Sequence, residues 1–280
     1  MDYLELTVTI TPRNPWAEIL VSELADLGFD SFVDTKEGVQ AYAPIKEVDM
    51  DFVIQHSILS SDTDEFKIEF ENKTIPHQNW NELWESDFHP VEVENYVTIV
   101  APFHSKEDIK GMIVEIQPQM SFGTGHHQTT WLMSKALFEI GSIPATVLDM
   151  GTGTGVLAII VENLGADKIC AIDIEDWSAV NARENTERNN CTKIETMCGD
   201  VDLIEGHTFG LIIANINKNV LKSHLEMYSK SLETNGILLL SGFFDSDVDE
   251  LVDFASQFQL KKVNVFSKET WAGIQLVKEL

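Results

Sequence analysis

Apolar residues recur at every second position along Tyr3-Leu-Glu-Leu-Thr-Val-Thr-Ile10, as in a strand with one buried face. From Pro15 to Gly28 the spacing lengthens to that of a helix, with proline at its start and glycine at its end. Residues 31–34 and 39–42 are again strand-like, and Lys36-Glu-Gly38 between them reads as a hairpin turn. A second helix is expected over about 50–59 and a fourth strand over 66–70. Farther on, Trp80, Leu83 and Trp84 share one helical face by i, i+3, i+4 spacing, which predicts a helix over 79–86. A strand is expected over 96–102.

Beyond about residue 110 the pattern changes to alternating helix and strand. Apolar runs at 147–150, 169–173, 193–200, 209–215 and 236–242 predict strands, the one holding Cys170 apolar enough to be buried. Helices are expected over 131–137, 156–161, 179–190, 220–232 and 247–258. The chain closes with two strand-like runs, 262–266 and 273–278, joined by a short turn. The order β-α-β-β-α-β over residues 1–70 predicts a ferredoxin-like α+β domain. The later alternation predicts a Rossmann-like α/β domain over 101–280, with residues 71–100 supplying a linker helix and a connecting strand.

The richest chemistry lies in Val147-Leu-Asp-Met-Gly-Thr-Gly-Thr-Gly155. A strand ends in an acid, turns through Gly151, Gly153 and Gly155, and enters a helix. The next strand ends in a second acid, Asp173, placed to grip a ribose diol in the crevice at the strand ends. The dinucleotide fingerprint is G-x-G-x-x-G, with a pyrophosphate at the helix N-terminus. Here the spacing is G-x-G-x-G, and Asp149 at the turn would repel a pyrophosphate. A carboxylate suits the amino and sulfonium groups of S-adenosylmethionine (SAM), which is therefore favoured over NAD. A terminal hairpin without a crossover helix is also expected of SAM-dependent methyltransferases.

Composition narrows the picture. A net charge of −27 argues against nucleic acid as a partner, since nucleic-acid binders neutralise phosphates with Lys and Arg. Residues 1–70 hold 4 basic and 15 acidic residues, which favours a basic protein partner, although acidity that serves only solubility is the competing reading. The three cysteines form no C-x-x-C pair or disulfide framework. The opening Met1-Asp-Tyr-Leu-Glu lacks a signal peptide's basic and apolar regions, and no apolar run approaches the length of a membrane span. A cytoplasmic, monomeric protein is expected.

Met120-Ser-Phe-Gly-Thr-Gly-His-His-Gln-Thr-Thr130 leads into a helix, gathering hydroxyls and free backbone N–H groups where the carboxylate of a bound amino acid would sit. Either Thr129 or Thr130 would also serve simply as an N-cap. His126 and His127 invite a metal reading, but adjacent histidines rarely face one ion and no third ligand is near, so no metal is expected. Asn215 ends a strand opposite the glycine turn, either to orient an amine nucleophile or merely to form a turn. Asp200 is a candidate acceptor for the adenine amino group.

The segments Trp80 to Pro90, Phe122 to Thr130, Leu148 to Ala158, Ala171 to Ile174 and Ala214 to Ile216 resemble those of the PrmA family, methyltransferases of large-subunit ribosomal protein L-eleven (L11). The resemblance covers essentially the whole chain. It implies a class I SAM-dependent methyltransferase fold, with a seven-stranded sheet and a terminal antiparallel hairpin. It also implies an N-terminal domain that holds L11 and methylation of several of its amines, lysine and N-terminal, up to trimethylation. Carried over by motif, the SAM contacts would be Thr130, Gly151, Asp173 and Asn215, beside Asp149, Gly153 and Asp200 from the residues themselves. Asn215 is the candidate catalytic group. Gln128 and Asn217 depart from the family pattern, which leaves the details of substrate docking open. Alternatives are a methyltransferase of the same fold acting on another protein or a small molecule, and a non-catalytic SAM-binding ribosome-assembly module.

Overall fold

Alternation over residues 3–10 does become a half-buried strand. In the computed structural model, which describes residues 2–76, 85, 87–119 and 121–280, β1 (Tyr3–Thr11) turns Leu4, Leu6, Val8 and Ile10 inward. β1 lies between β3 (Gly38–Pro44) and β4 (Lys67–Ile75), with β2 (Ser31–Asp34) outside β3. Every neighbouring pair is antiparallel, so the order β2-β3-β1-β4 is that of a ferredoxin-like sheet. α1 (Trp16–Asp26) and α2 (Met50–Gln55) bring Leu20, Leu24 and Val53 onto the inner face. Pro15 stands at the N-cap of α1, where a missing N–H costs nothing.

Two elements differ from the pattern. α2 stops at Gln55 because Ser57 breaks it: its hydroxyl donates to the Val53 carbonyl at 2.8 Å and accepts from Leu59 N–H, starting a 3-10 turn over Ile58–Ser60. β4 runs past residue 70 to Ile75, in register with the whole of β1 from Thr11↔Lys67 to Tyr3↔Ile75. The chain divides into two compact units, residues 1–86 and 87–280. The helix expected over 79–86, with Trp80, Leu83 and Trp84, lies outside the described residues apart from Glu85.

The second unit is built on a seven-stranded sheet ordered β10-β9-β8-β11-β12-β14-β13. The strands are β8 (Thr146–Met150), β9 (Lys168–Asp173), β10 (Ile194–Cys198), β11 (Phe209–Asn215), β12 (Leu232–Phe244), β13 (Leu260–Lys268) and β14 (Trp271–Lys278). β14 is antiparallel to both neighbours and the remaining pairs are parallel, which is the class I methyltransferase sheet. Both faces are covered. Val147, Ile169, Leu211, Ile213 and Leu239 pack with α3 (Gln128–Glu139) and α4 (Val156–Asn163). Leu148, Ile172, Ile212, Leu238 and Leu240 pack with α6 (Lys218–Ser231) and α7 (Val248–Ser256) on the other. α5 (Asp176–Arg188) follows β9.

A small three-stranded sheet, β5 (Val91–Val93), β6 (Val97–Val100) and β7 (Met112–Glu115), was not expected beyond a single strand over 96–102. Its strands are too short to show a period. The segment after β7 is tied to α5: Asn189 exchanges both side-chain bonds with the Glu115 backbone at 2.9 and 2.7 Å, and Asn185 accepts from Gln117 N–H at 2.8 Å.

Candidate functional site

Strand order reverses between β8 and β11, the place where open α/β sheets leave a crevice at their C-terminal ends. A cleft of about 700 Å³ opens there. Gly151, Gly153, Asp173, Asp200 and Asn215 all line it, so residues from four successive strand ends converge on one cavity. Thr130 and Asp149 do not line it: both are buried, Thr130 one residue beyond the cleft-lining Thr129 and Asp149 beneath the glycine turn.

Glycine is a physical requirement in this turn. Gly151 and Gly153 have φ of 75° and 55°, in the left-handed region that disfavours side chains. A Cβ on Gly151 would collide with the Ile216 side chain, and one on Gly153 with the Phe122 carbonyl oxygen. The second approach exists because the 122–123 loop lies directly over the turn. Thr154 N–H donates to the Phe122 carbonyl at 2.9 Å, and the Thr154 hydroxyl to the Gly123 carbonyl at 2.7 Å. Thus the two glycine-rich segments of the sequence form one structure.

The acids fall into two environments. Asp149 accepts from the Thr152 hydroxyl at 2.7 Å, and burial pushes its carboxyl up to about 6 despite that bond. It therefore braces the turn from below. Asp173 accepts Gly153 N–H at 2.8 Å through Oδ2 and Glu175 N–H at 3.1 Å through Oδ1, which fixes its carboxylate at the cleft wall. Asp200 caps its own 3-10 turn, accepting from Val201 N–H at 2.7 Å, and stays half exposed.

The buried Oδ1 of Asn215 and the buried Oγ1 of Thr130 have no hydrogen-bond partner among the described residues. Buried polar atoms are normally satisfied, so the orphan on the cleft-lining Asn215 marks a place where a ligand can supply the bond, whereas Thr130 lies behind the lining. Among the described residues lining the cleft there is no lysine or arginine, whereas Asp173, Glu175 and Asp200 are present. Such a lining fits the cationic SAM and not a pyrophosphate. SAM supplies a methyl group on a sulfonium that is already activated for transfer.

Several lining residues had no distinct signal in the sequence. Phe122, His127 and Trp271 gather at one side, with the His127 ring 5.0 Å from Phe122 and 4.6 Å from Trp271. Phe244 extends the group, 4.5 Å from Trp271. Phe122 and His127 sit in the glycine-rich segment that drew attention for other residues. Trp271 and Phe244 come from β14 and β12, where one aromatic residue looks like any other. Trp177 and His224 reach the cleft from α5 and α6. Burial lowers the His127 pKa, and its Nδ1 lies 2.8 Å from the Thr129 hydroxyl. His126 instead faces the His89 carbonyl at 2.9 Å, so the adjacent histidines diverge. Among the described residues, no group of three or more His, Cys, Asp or Glu is placed to hold a metal ion.

A profile of the family described as "Ribosomal protein L11 methyltransferase (PrmA)" matches residues 17–279. The chain belongs to this family. A relative from Porphyromonas gingivalis named ribosomal protein L11 methyltransferase is 36% identical over 264 residues, covering 94% of this chain and 91% of its own. Another of the same name, from Phocaeicola vulgatus, is 34% identical over 280 residues and covers 99% of both chains. The crystal structure of a ribosomal protein L11 methylase from Lactobacillus delbrueckii subsp. bulgaricus superposes with a TM-score of 0.64 at 25% identity, covering 69% of this chain and all of that one. The protein is accordingly a methyltransferase of the class I fold, and SAM is its methyl donor. Among the described residues no helix is long and apolar enough to cross a membrane.

Proposed function

We propose that this protein transfers methyl groups from SAM to amines of ribosomal protein L11, on lysine side chains and the N-terminal α-amine, up to the trimethylated state. The observation that carries the reading is that Asn215 lines the cleft with Phe122, His127 and Trp271 while its Oδ1, buried in the ligand-free protein, has no hydrogen-bond partner among the described residues. A free lysine has a pKa of about 10.4 and must lose a proton before it attacks. Desolvation in the cleft favours that loss, and the Asn215 carbonyl accepts a hydrogen bond from the amine and aims its lone pair. His127, held neutral by burial, adds no positive charge against the incoming group. Aromatic faces favour cations, so methylated intermediates remain acceptable on the way to the third methyl.

The other roles follow from placement. Asp173 receives the ribose diol while its two backbone bonds keep it in line. Asp200 accepts from the adenine amine. The glycine turn, braced by Asp149, receives the amino-acid end, and the Thr130 hydroxyl, buried one residue behind the cleft-lining Thr129, reaches it only if that lining shifts on binding. No dedicated base is invoked: the ammonium releases its proton to water before attack, as does each methylated ammonium before the next transfer, and alignment can supply up to roughly 7–11 kcal/mol of the barrier lowering. The acidic N-terminal unit supports docking of a basic protein by complementary charge. We place the protein in the cytoplasm as a monomer.

Mass spectrometry of purified L11 after incubation with the protein and SAM tests this. Mass gains in steps of one methyl, mapped to lysines and the N-terminus, are expected. No gain from a protein that demonstrably binds SAM would remove L11 as the substrate.

A further inference from the structure

Beside the cleft-lining Asp200 lie two side chains, His224 and Tyr228, that the methyl-transfer reading leaves unused. Tyr228 is wholly buried in α6, and its hydroxyl lies 3.2 Å from Nδ1 of His224, one turn earlier on the same helix. The other ring nitrogen of His224, Nε2, lies 3.4 Å from Oδ1 of Asp200, and both His224 and Asp200 line the cleft. His224 is itself buried. A histidine-tyrosine pair this deep in a nucleoside cleft has a chemical consequence, because the partner of one ring nitrogen fixes what the other carries.

Burial drives the Tyr228 pKa far above its ordinary value, so its hydroxyl keeps its proton and donates it to His224 Nδ1. Burial lowers the His224 pKa, although Asp200 and Asp202 pull the other way, and the ring is neutral near pH 7. A neutral imidazole that accepts at Nδ1 must carry its hydrogen on Nε2, which faces Asp200. Oδ1 of Asp200 also receives Val201 N–H at 2.7 Å. With Val201 N–H bonded to Oδ1 and the Nε2–H of His224 in 3.4 Å electrostatic contact with the same oxygen, Oδ2 is left to accept from a ligand.

We propose that His224, held in one tautomer by Tyr228, is a positioning residue that sets the Asp200 carboxylate to select the exocyclic amine of adenine. The proposal rests on the SAM reading and on Asp200 as the adenine acceptor. Orientation by an outer partner is a familiar way to sharpen a ligand-contacting group. The selectivity follows from chemistry: Oδ2 accepts from an amine and is left facing a carbonyl if the base is hypoxanthine, an unfavourable acceptor-acceptor contact.

The test is calorimetric binding of S-adenosylhomocysteine and its inosine counterpart to the full-length protein. The natural protein is expected to prefer the adenine ligand by about tenfold or more, the range for one hydrogen bond to a charged group. His224→Leu is expected to collapse that preference, His224→Gln, which retains a donor, to keep most of it, and Tyr228→Phe, which frees the tautomer, to reduce it by about threefold. A structural role alone would weaken both ligands in proportion and leave the preference intact. That result in His224→Leu overturns the proposal; if this variant does not fold, an unchanged preference in Tyr228→Phe overturns it instead. An unchanged preference in Asp200→Ala would overturn the adenine role of Asp200, and the proposal with it, while leaving SAM as the donor. Absence of binding by the natural protein to either ligand would remove the cofactor reading itself.

Discussion

The two units use β-sheets in opposite ways. In residues 1–86 the sheet alternates: β1 buries Leu4, Leu6 and Val8 and turns Glu5, Thr7 and Thr9 to the other face. That face is polar and cross-linked, with Lys73 paired to Glu5 at 2.7 Å and Gln40 and Tyr42 bonded around it. In residues 87–280 the central strands are apolar on both faces, and chemistry is confined to their ends. A sheet covered by helices on both sides can bind only at its edges and ends. A sheet with one free face can offer area to a macromolecule. Charge follows the same division. The first unit has 5 basic against 18 acidic residues, nearly half the net charge of the chain in under a third of its length.

The largest expected effect separates these roles outright. A chain beginning at residue 87 should lose methylation of L11 by about a thousandfold or more while SAM affinity stays within about threefold, as expected when a separate docking surface supplies the encounter. Retained methylation, followed by mass spectrometry, would break the division of labour. Next is Gly153→Val, which forces a β-branched side chain into a left-handed backbone and against the Phe122 carbonyl. Several kcal/mol of strain and collision should abolish SAM binding at accessible concentrations; calorimetry showing micromolar affinity would mean that the turn is more pliable than its geometry.

Asp149 gives a pH signature. Its pKa is raised in the folded protein to about 6 from 3.8, so the unfolded chain releases this proton first. The contribution is fully present below pH 4 and lost as pH rises through 6, a change of about 3 kcal/mol. Denaturation of the ligand-free protein between pH 4 and 7 should show that slope, and Asp149→Asn should flatten it. Asp173→Ala, which removes the acceptor for Gly153 and Glu175 N–H as well as for a ribose, should weaken SAM binding by about thirtyfold. The smallest effect is Thr130→Val. It replaces an orphaned hydroxyl with a methyl, and a loss of affinity of about threefold to tenfold is expected only if SAM satisfies that hydroxyl. Unchanged affinity with raised stability would show that Thr130 is simply buried.

Legibility in the sequence differed between these regions for physical reasons. β1 and β11 were readable to within a residue, because strict alternation and an unbroken apolar run each carry a clear period. The glycine turn was readable because few other residues tolerate its backbone. β5 and β7, with three and four residues, fell below the length at which any period shows. α2 was overextended because a single side-chain bond from Ser57 ended it.

Sequence by itself determined the order of the main elements in the two larger sheets, the nucleoside crevice and the charge of the N-terminal unit, because these depend on periodicity, glycine backbone freedom and composition. Tertiary structure alone decided that Asp149 braces the turn while Asp173 faces the cleft. Both are acids at strand ends, and only packing tells which side chain points into the core. It also decided that Phe122, His127 and Trp271 meet, and that Tyr228, His224 and Asp200 fall into line. The His127–Trp271 and His224–Asp200 contacts join separate elements, where the neighbours of a residue are set by the path of the sheet and not by its place in the chain.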